Sequence, residues 1–167
     1  MRVKTQRIIL VIISAVILMG AGIMTYVLHM WNEDDLVKVA VRSGEPHLID
    51  LEGFAIVPGY EKEYKVRVIT EKKSYYDLTF EFKDLAPKDD PLKDNLYVKI
   101  EHNGTVYYDD KLATFYEKDN MGFVVDMSKT YHTDLSITYY IPLEVGNEIQ
   151  GCEVDFQLYI TAQEKGD

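Results

Sequence analysis

Cysteine is almost missing from this chain, with Cys152 the single one in 167 residues. One thiol excludes an intramolecular disulfide, so the fold must stand on packing rather than on covalent staples. Its setting, between Glu148 and Glu153 on the apolar side of an alternating run, is that of a small hydrophobe, not of an activated nucleophile. Histidine is scarce as well. His29, His47, His102 and His132 include no pair one helical turn apart, so the H-E-x-x-H arrangement that presents two nitrogens to one zinc is absent. None of Ser14, Ser43, Ser74, Ser128 and Ser136 sits in a G-x-S-x-G elbow. After residue 31 no window of a dozen residues carries a helical apolar face, and there is no repeat or low-complexity tract.

Positive charge is in short supply too, with 18 basic against 28 acidic residues and a net charge of −10. Three of the basic residues and none of the acidic ones precede residue 32, which leaves 15 against 28, or −13, for the remainder. Such a balance repels nucleic acid and anionic headgroups, and no nucleic-acid partner is expected.

What is present begins at the N-terminus. Arg2, Lys4 and Arg7 precede an uncharged run, Ile8 to Leu28, and Glu33, Asp34 and Asp35 follow it. As a helix its 21 residues rise about 31 Å, enough to cross a bilayer's hydrocarbon core. The basic residues on the N-terminal side place the N-terminus in the cytoplasm and the rest outside. A cleaved signal peptide starts in the same way, and Gly20-Ala21-Gly22 offers the small residues of a cleavage site. Apolar character continues past it through Ile23, Met24, Val27 and Leu28, so an uncleaved anchor is the preferred reading. The expected organisation is a membrane anchor or signal segment at 1–31, a juxtamembrane segment at 32–46 and an extracellular domain at 47–167. The location is then single-pass with the C-terminal domain outside, or secreted to the surface if the leader is cut.

The exported part is rich in tyrosine, 13 in the whole chain, with valine and isoleucine in short alternating runs. This is strand composition. Tyr64, Val66 and Val68 alternate with charged neighbours, as do Tyr76, Leu78, Phe80 and Phe82, and the two runs read as an antiparallel pair. Cys152, Val154, Phe156, Leu158 and Ile160 form the inward set of a last strand. Asn103-Gly104 predicts a type I′ turn in a hairpin from Leu96 to Leu112. Phe123–Met127 and Leu135–Leu143 add two strands, Lys38–Val41 and His47–Val57 one or two more, and Lys111–Lys118 a short helix. Eight or nine short strands imply an all-β, two-sheet sandwich of jelly-roll or Greek-key type behind one N-terminal helix.

The loop Asp84–Asn95 carries two prolines and four aspartates. Asp84, Asp89, Asp90 and Asp94 would suit calcium as oxygen donors, but their spacing is not that of an EF-hand, and solvated loop charge explains them better. Asn103-Gly104-Thr105 is a glycosylation sequon that the hairpin turn already accounts for. Tyr97, Tyr107 and Tyr108, with Tyr140, are candidates for contact with carbohydrate or protein, since tyrosine suits interfaces. No catalytic, cofactor-binding or metal-ligating residue is assigned, and no cofactor is expected.

Three stretches carry a family resemblance. Gly146, Asn147, Gln150 and Gly151 make a turn that leads into the strand Val154–Ala162; Pro58-Gly59 precedes the strand Tyr64–Thr70; and Gly20-Ala21-Gly22 is followed by Thr25-Tyr26. Together they resemble the TasA/camelysin family of exported bacterial surface and biofilm-matrix proteins. The middle of the chain, Leu85 to Tyr131, carries no such likeness. The resemblance implies a jelly-roll-like sandwich, secretion, and polymerisation in which the N-terminal strand of one subunit completes a sheet of the next. It also brings a metallo-endopeptidase label that no metal motif here supports. The leader departs from the pattern, because Val27 and Leu28 stand where small residues favour cleavage.

The leading expectation is therefore a non-enzymatic structural or adhesive β-domain at the bacterial cell surface, as a matrix-fibre subunit or its membrane-tethered accessory. Its partners would be itself or related fibre subunits by strand addition, with Val37, Val39 and Val41 as donor-strand residues, and the membrane through residues 8–28. The alternatives are a surface metallo-endopeptidase and a glycan- or protein-binding module.

Overall fold

A computed structural model describes residues 36–51, 56–84, 92–117, 121–146, 149, 152 and 156–166. The chain divides into two units, Met1–Leu36 and Val37–Asp167, and of the first only Leu36 is described. Nine strands and one short helix follow in order: β1 Leu36–Val41, β2 Pro46–Ile49, β3 Glu61–Thr70, β4 Tyr75–Asp84, β5 Tyr97–His102, β6 Thr105–Lys111, α1 Leu112–Glu117, β7 Met121–Asp126, β8 His132–Tyr140 and β9 Phe156–Glu164. The membrane-anchor reading for residues 8–28 lies outside the described residues, as do the Gln150-Gly151 turn and Asp89 and Asp90. No helix among the described residues is long and apolar enough to cross a membrane.

The strands form two sheets, ordered β1-β3-β8-β5-β6 and β2-β9-β4-β7. Around the β5–β6 hairpin the pairs nest: β4 with β7, β3 with β8 and β2 with β9, all antiparallel. The chain thus runs as one long doubled ribbon whose successive pairs fall in alternate sheets. Cross-pairs β5–β8 and β4–β9 knit the ribbon into sheets. This is the expected all-β two-sheet sandwich.

Alternation decides which faces meet. Tyr64, Val66 and Val68 on β3 and Leu135 and Ile137 on β8 point inward from one sheet, against Tyr76, Leu78, Phe80 and Phe82 on β4 and Leu158, Ile160 and Ala162 on β9 from the other. Each fully buried aliphatic side chain contributes about 1.5–3 kcal/mol relative to exposure. The turn residues are as the sequence demands. Asn103 and Gly104 have φ of 49° and 76°, the positive pair of a type I′ turn. Pro58-Gly59 closes a turn in which the Tyr60 N–H donates to the Val57 carbonyl at 3.1 Å.

One pairing differs from expectation. β3 and β4 do not pair with each other; they lie in opposite sheets. Thr70 Oγ1 and Tyr76 OH both donate to the Lys72 carbonyl, at 2.9 and 3.1 Å, and fold the link between the strands into an arch over the end of the sandwich. A short polar link with one-faced strands on both sides serves an arch as well as a hairpin. The choice falls to β8, which offers β3 nine matched positions from Glu61↔Tyr140 to Ile69↔His132.

The expected short helix closes one end. The Leu112 N–H donates to the Leu96 carbonyl at 2.8 Å and the Ala113 N–H to Lys93 at 3.1 Å, so α1 is tied to the turn before β5. Phe115 then meets Phe82 edge-on at 4.4 Å between ring centroids.

Candidate functional site

The sequence-predicted contact residues do not gather on one surface. Tyr97 is half-buried on the outer face of β5 and stacks on Tyr140 of β8, with centroids 5.1 Å apart and planes 26° apart. The Tyr140 hydroxyl donates to Asp109 Oδ1 at 2.7 Å. Burial and that carboxylate hold the Tyr140 phenol well above its ordinary pKa.

Tyr108 corrects the expectation of a surface residue. It is 5% exposed, its hydroxyl donates to the Lys111 carbonyl at 2.8 Å, and burial, reinforced by Asp110 and Asp109, raises its pKa. The cause is a β-bulge. Ile100 pairs with Tyr108 but Glu101 pairs with Val106, so Tyr107 is an extra residue in the ladder. A bulge breaks the period of two and re-aims side chains. Val106 and Tyr107 are both exposed, at 47% and 41%, and Tyr108 turns inward.

Tyr107 lies where the sandwich opens between the last described strands of its two sheets, β6 of one and β7 of the other. Its ring stacks on Phe123 of β7 with centroids 3.8 Å apart and planes 16° apart. Phe80, Ile100, Tyr107, Tyr108, Met121 and Phe123 wall a cleft of about 200 Å³, with Gly122 at its rim. The His102 ring stacks on the same phenylalanine at 5.7 Å. Its Nε2 faces Thr133 Oγ1 at 2.8 Å and Asn103 Nδ2 at 3.1 Å; with the amide as donor, the imidazole is an acceptor and neutral.

Burial lowers the His102 pKa. The unfolded chain therefore takes up this proton first as the solution is acidified. The stability that depends on His102 is complete above about pH 6.5 and is lost as pH falls from there through the lower folded value. Asp134 acts in a lower window. Arg67 Nε and Nη2 donate to its two oxygens at 2.7 and 2.8 Å and depress its pKa, so its contribution is lost only below about pH 4. Urea midpoints at pH 7.5 and 5.5 are expected to differ more for the natural chain than for His102→Gln; equal differences would show that partial burial of the ring does not shift its titration.

A second cleft, of about 440 Å³, lies where the β1–β2 and β3–β4 links meet the end of β9. Its charges pair off, Arg42 with Glu71 at 3.9 Å and Lys72 with Glu164 at 3.6 Å, mostly in solvent, where such pairs are worth little. The corner itself is held by backbone-to-side-chain hydrogen bonds: the Glu164 N–H donates to Ser43 Oγ at 2.9 Å, and the Arg42 N–H to His47 Nε2 at 2.9 Å.

The donor-strand candidates sit on β1, which is the edge of the five-stranded sheet beside β3. Val39 and Val41 are buried against the core and Val37 packs partly against it. Among the described residues no three of His, Cys, Asp and Glu lie close enough to hold a metal. Sequence reasoning missed Gly122 and Val124 as surface features. The available signal was the composition of β7, MGFVVD, which has no lysine, arginine, glutamate or proline.

No family model and no curated protein matches this chain. Among solved structures it is similar to PliG of Aeromonas hydrophila, a periplasmic lysozyme inhibitor of g-type lysozyme, at 10% identity and a TM-score of 0.30, over 77% of this chain and 98% of that one.

Proposed function

We propose that this chain is an exported bacterial surface protein of the TasA/camelysin kind, whose β-sandwich is structural or adhesive rather than catalytic. The observation that carries the reading is the placement of β1. Strands β2 to β9 already close on one another as nested pairs, the order of an eight-stranded jelly roll, and β1 is appended outside that set beside β3. It follows the segment read as a leader and seats Val39 and Val41 inward. Backbone ladder bonds plus alternating apolar side chains are the means by which β-augmentation joins chains. With the leader retained, the domain is held at the outer face of the membrane; with the leader cut, β1 is free to serve a neighbouring copy.

Deleting residues 32–42 is expected to abolish polymers seen by electron microscopy, and a synthetic peptide of those residues is expected to bind the truncated domain. Polymers that persist without β1 would overturn the reading. A second reading, glycan or protein contact, is favoured by the stacked Tyr97–Tyr140 pair on the outer face of the five-stranded sheet.

A further inference from the structure

A sandwich with two open sheets has four edges, and three of those here are guarded. β1 carries Lys38 and runs into Arg42; β2 is four residues long and begins with Pro46; β6 carries the bulge together with Asp109, Asp110 and Lys111. Short strands, proline, bulges and charge are the devices that keep sheet edges from pairing with other chains. β7 has no proline, bulge or basic residue, and its one charge stands at its last position. It is six residues long, and no described strand lies on its outer side.

We infer that β7 pairs antiparallel with β7 of a second copy of this chain, about a two-fold axis at Phe123. Opposed residues of an antiparallel pair point to the same face, so the residue numbers of each pair must share parity if the inner faces of both copies are to stay inward. Centring on Phe123 satisfies this and places Met121 opposite Val125, both on the inner face. On the outer face Gly122 falls opposite Val124. Val124 is 44% exposed, while a side chain at Gly122 is excluded because its Cβ would lie 2.4 Å from the Leu78 carbonyl oxygen. The large residue of each copy therefore covers the bare backbone of the other. The two four-stranded sheets become one of eight strands.

Charge favours the same edge. Copies of a chain at −10 repel, and this register of β7 sets no charge against its like, since Asp126 falls opposite position 120 and not opposite itself. Tyr107, stacked on Phe123, lies beside the contact and gains cover from it. A contact of six residues a side is small, so the dimer is a weak one that a crowded surface would populate.

The test is sedimentation of the full chain in detergent micelles across a concentration series, for the natural chain, Val124→Lys and Leu48→Lys. Leu48 is 45% exposed on β2, the opposite edge of the same sheet. Reversible dimers of the natural chain are expected, weakened at least about tenfold by Val124→Lys, unchanged by Leu48→Lys, with equal melting temperatures for all three. A natural chain that stays monomeric up to about 1 mM, or a dimer that Val124→Lys leaves intact, overturns the inference. Deleting residues 32–42 leaves this dimer in place, so its failure and the failure of β1 exchange are separate results.

Discussion

Replacing Phe82 by alanine is expected to remove about 3–5 kcal/mol of stability, the range for large aromatic truncations in packed cores. Phe82 is 6% exposed near the end of β4, and its ring meets three others: Phe115 at 4.4 Å and Tyr116 at 6.3 Å from α1, and Phe156 at 5.6 Å from the start of β9. From there the contacts continue, Phe115 to Tyr108 at 4.4 Å and Phe156 to Tyr139 at 5.5 Å. The cluster joins both sheets to the helix that closes this end. A void at its centre cannot collapse readily, because its walls are rings fixed on two separate elements, α1 and β9. Domains of this size hold a total of about 5–15 kcal/mol, so the loss takes a large share. The urea midpoint, with an unchanged slope, reads it directly. A loss below about 1 kcal/mol would show that these rings are not packed as a unit.

Phe82 also marks where the sequence was legible and where it was not. Its place on the buried face follows from the period of two running through Tyr76, Leu78 and Phe80, a local property that one strand displays alone. So does the Asn103-Gly104 hairpin, because the two positive φ angles are a demand on those residues themselves. The partner of a strand is different. β3 and β4 carry equally good alternation on either side of four polar residues, and the distinction between hairpin and arch lies in β8, more than 60 positions from β3 in the chain. The same limit hid the core position of Tyr108. One unpaired residue in β6 reverses the alternation there, and only the ladder shows that Glu101 skips Tyr107 to meet Val106. The three tyrosines read as one candidate surface thus separate into an outer face, a cleft wall and the core.

The edge at β7 was legible in principle, and its test at Gly122 sets two effects of opposite sign against each other. By strand preference alone, replacing a glycine in the middle of a strand should help, since glycine packs nothing and costs backbone entropy. Here alanine is expected to destabilise by about 1–3 kcal/mol and valine by more, the scale of overpacking. The added Cβ would sit 2.4 Å from the Leu78 carbonyl oxygen and 3.3 Å from the Thr79 Cα. Those are backbone atoms of β4, bonded on its other side to β9, so the strand cannot give way without straining a second ladder. Crowding therefore outweighs the gain of about 1 kcal/mol that strand preference offers. Thermal melts of Gly122→Ala and Gly122→Val read the balance, with Val124→Ala as the control for the exposed neighbour. A stabilised alanine variant would show that β4 and β7 are not held this close, and the bare patch that Val124 of a second copy is inferred to cover would lose its cause.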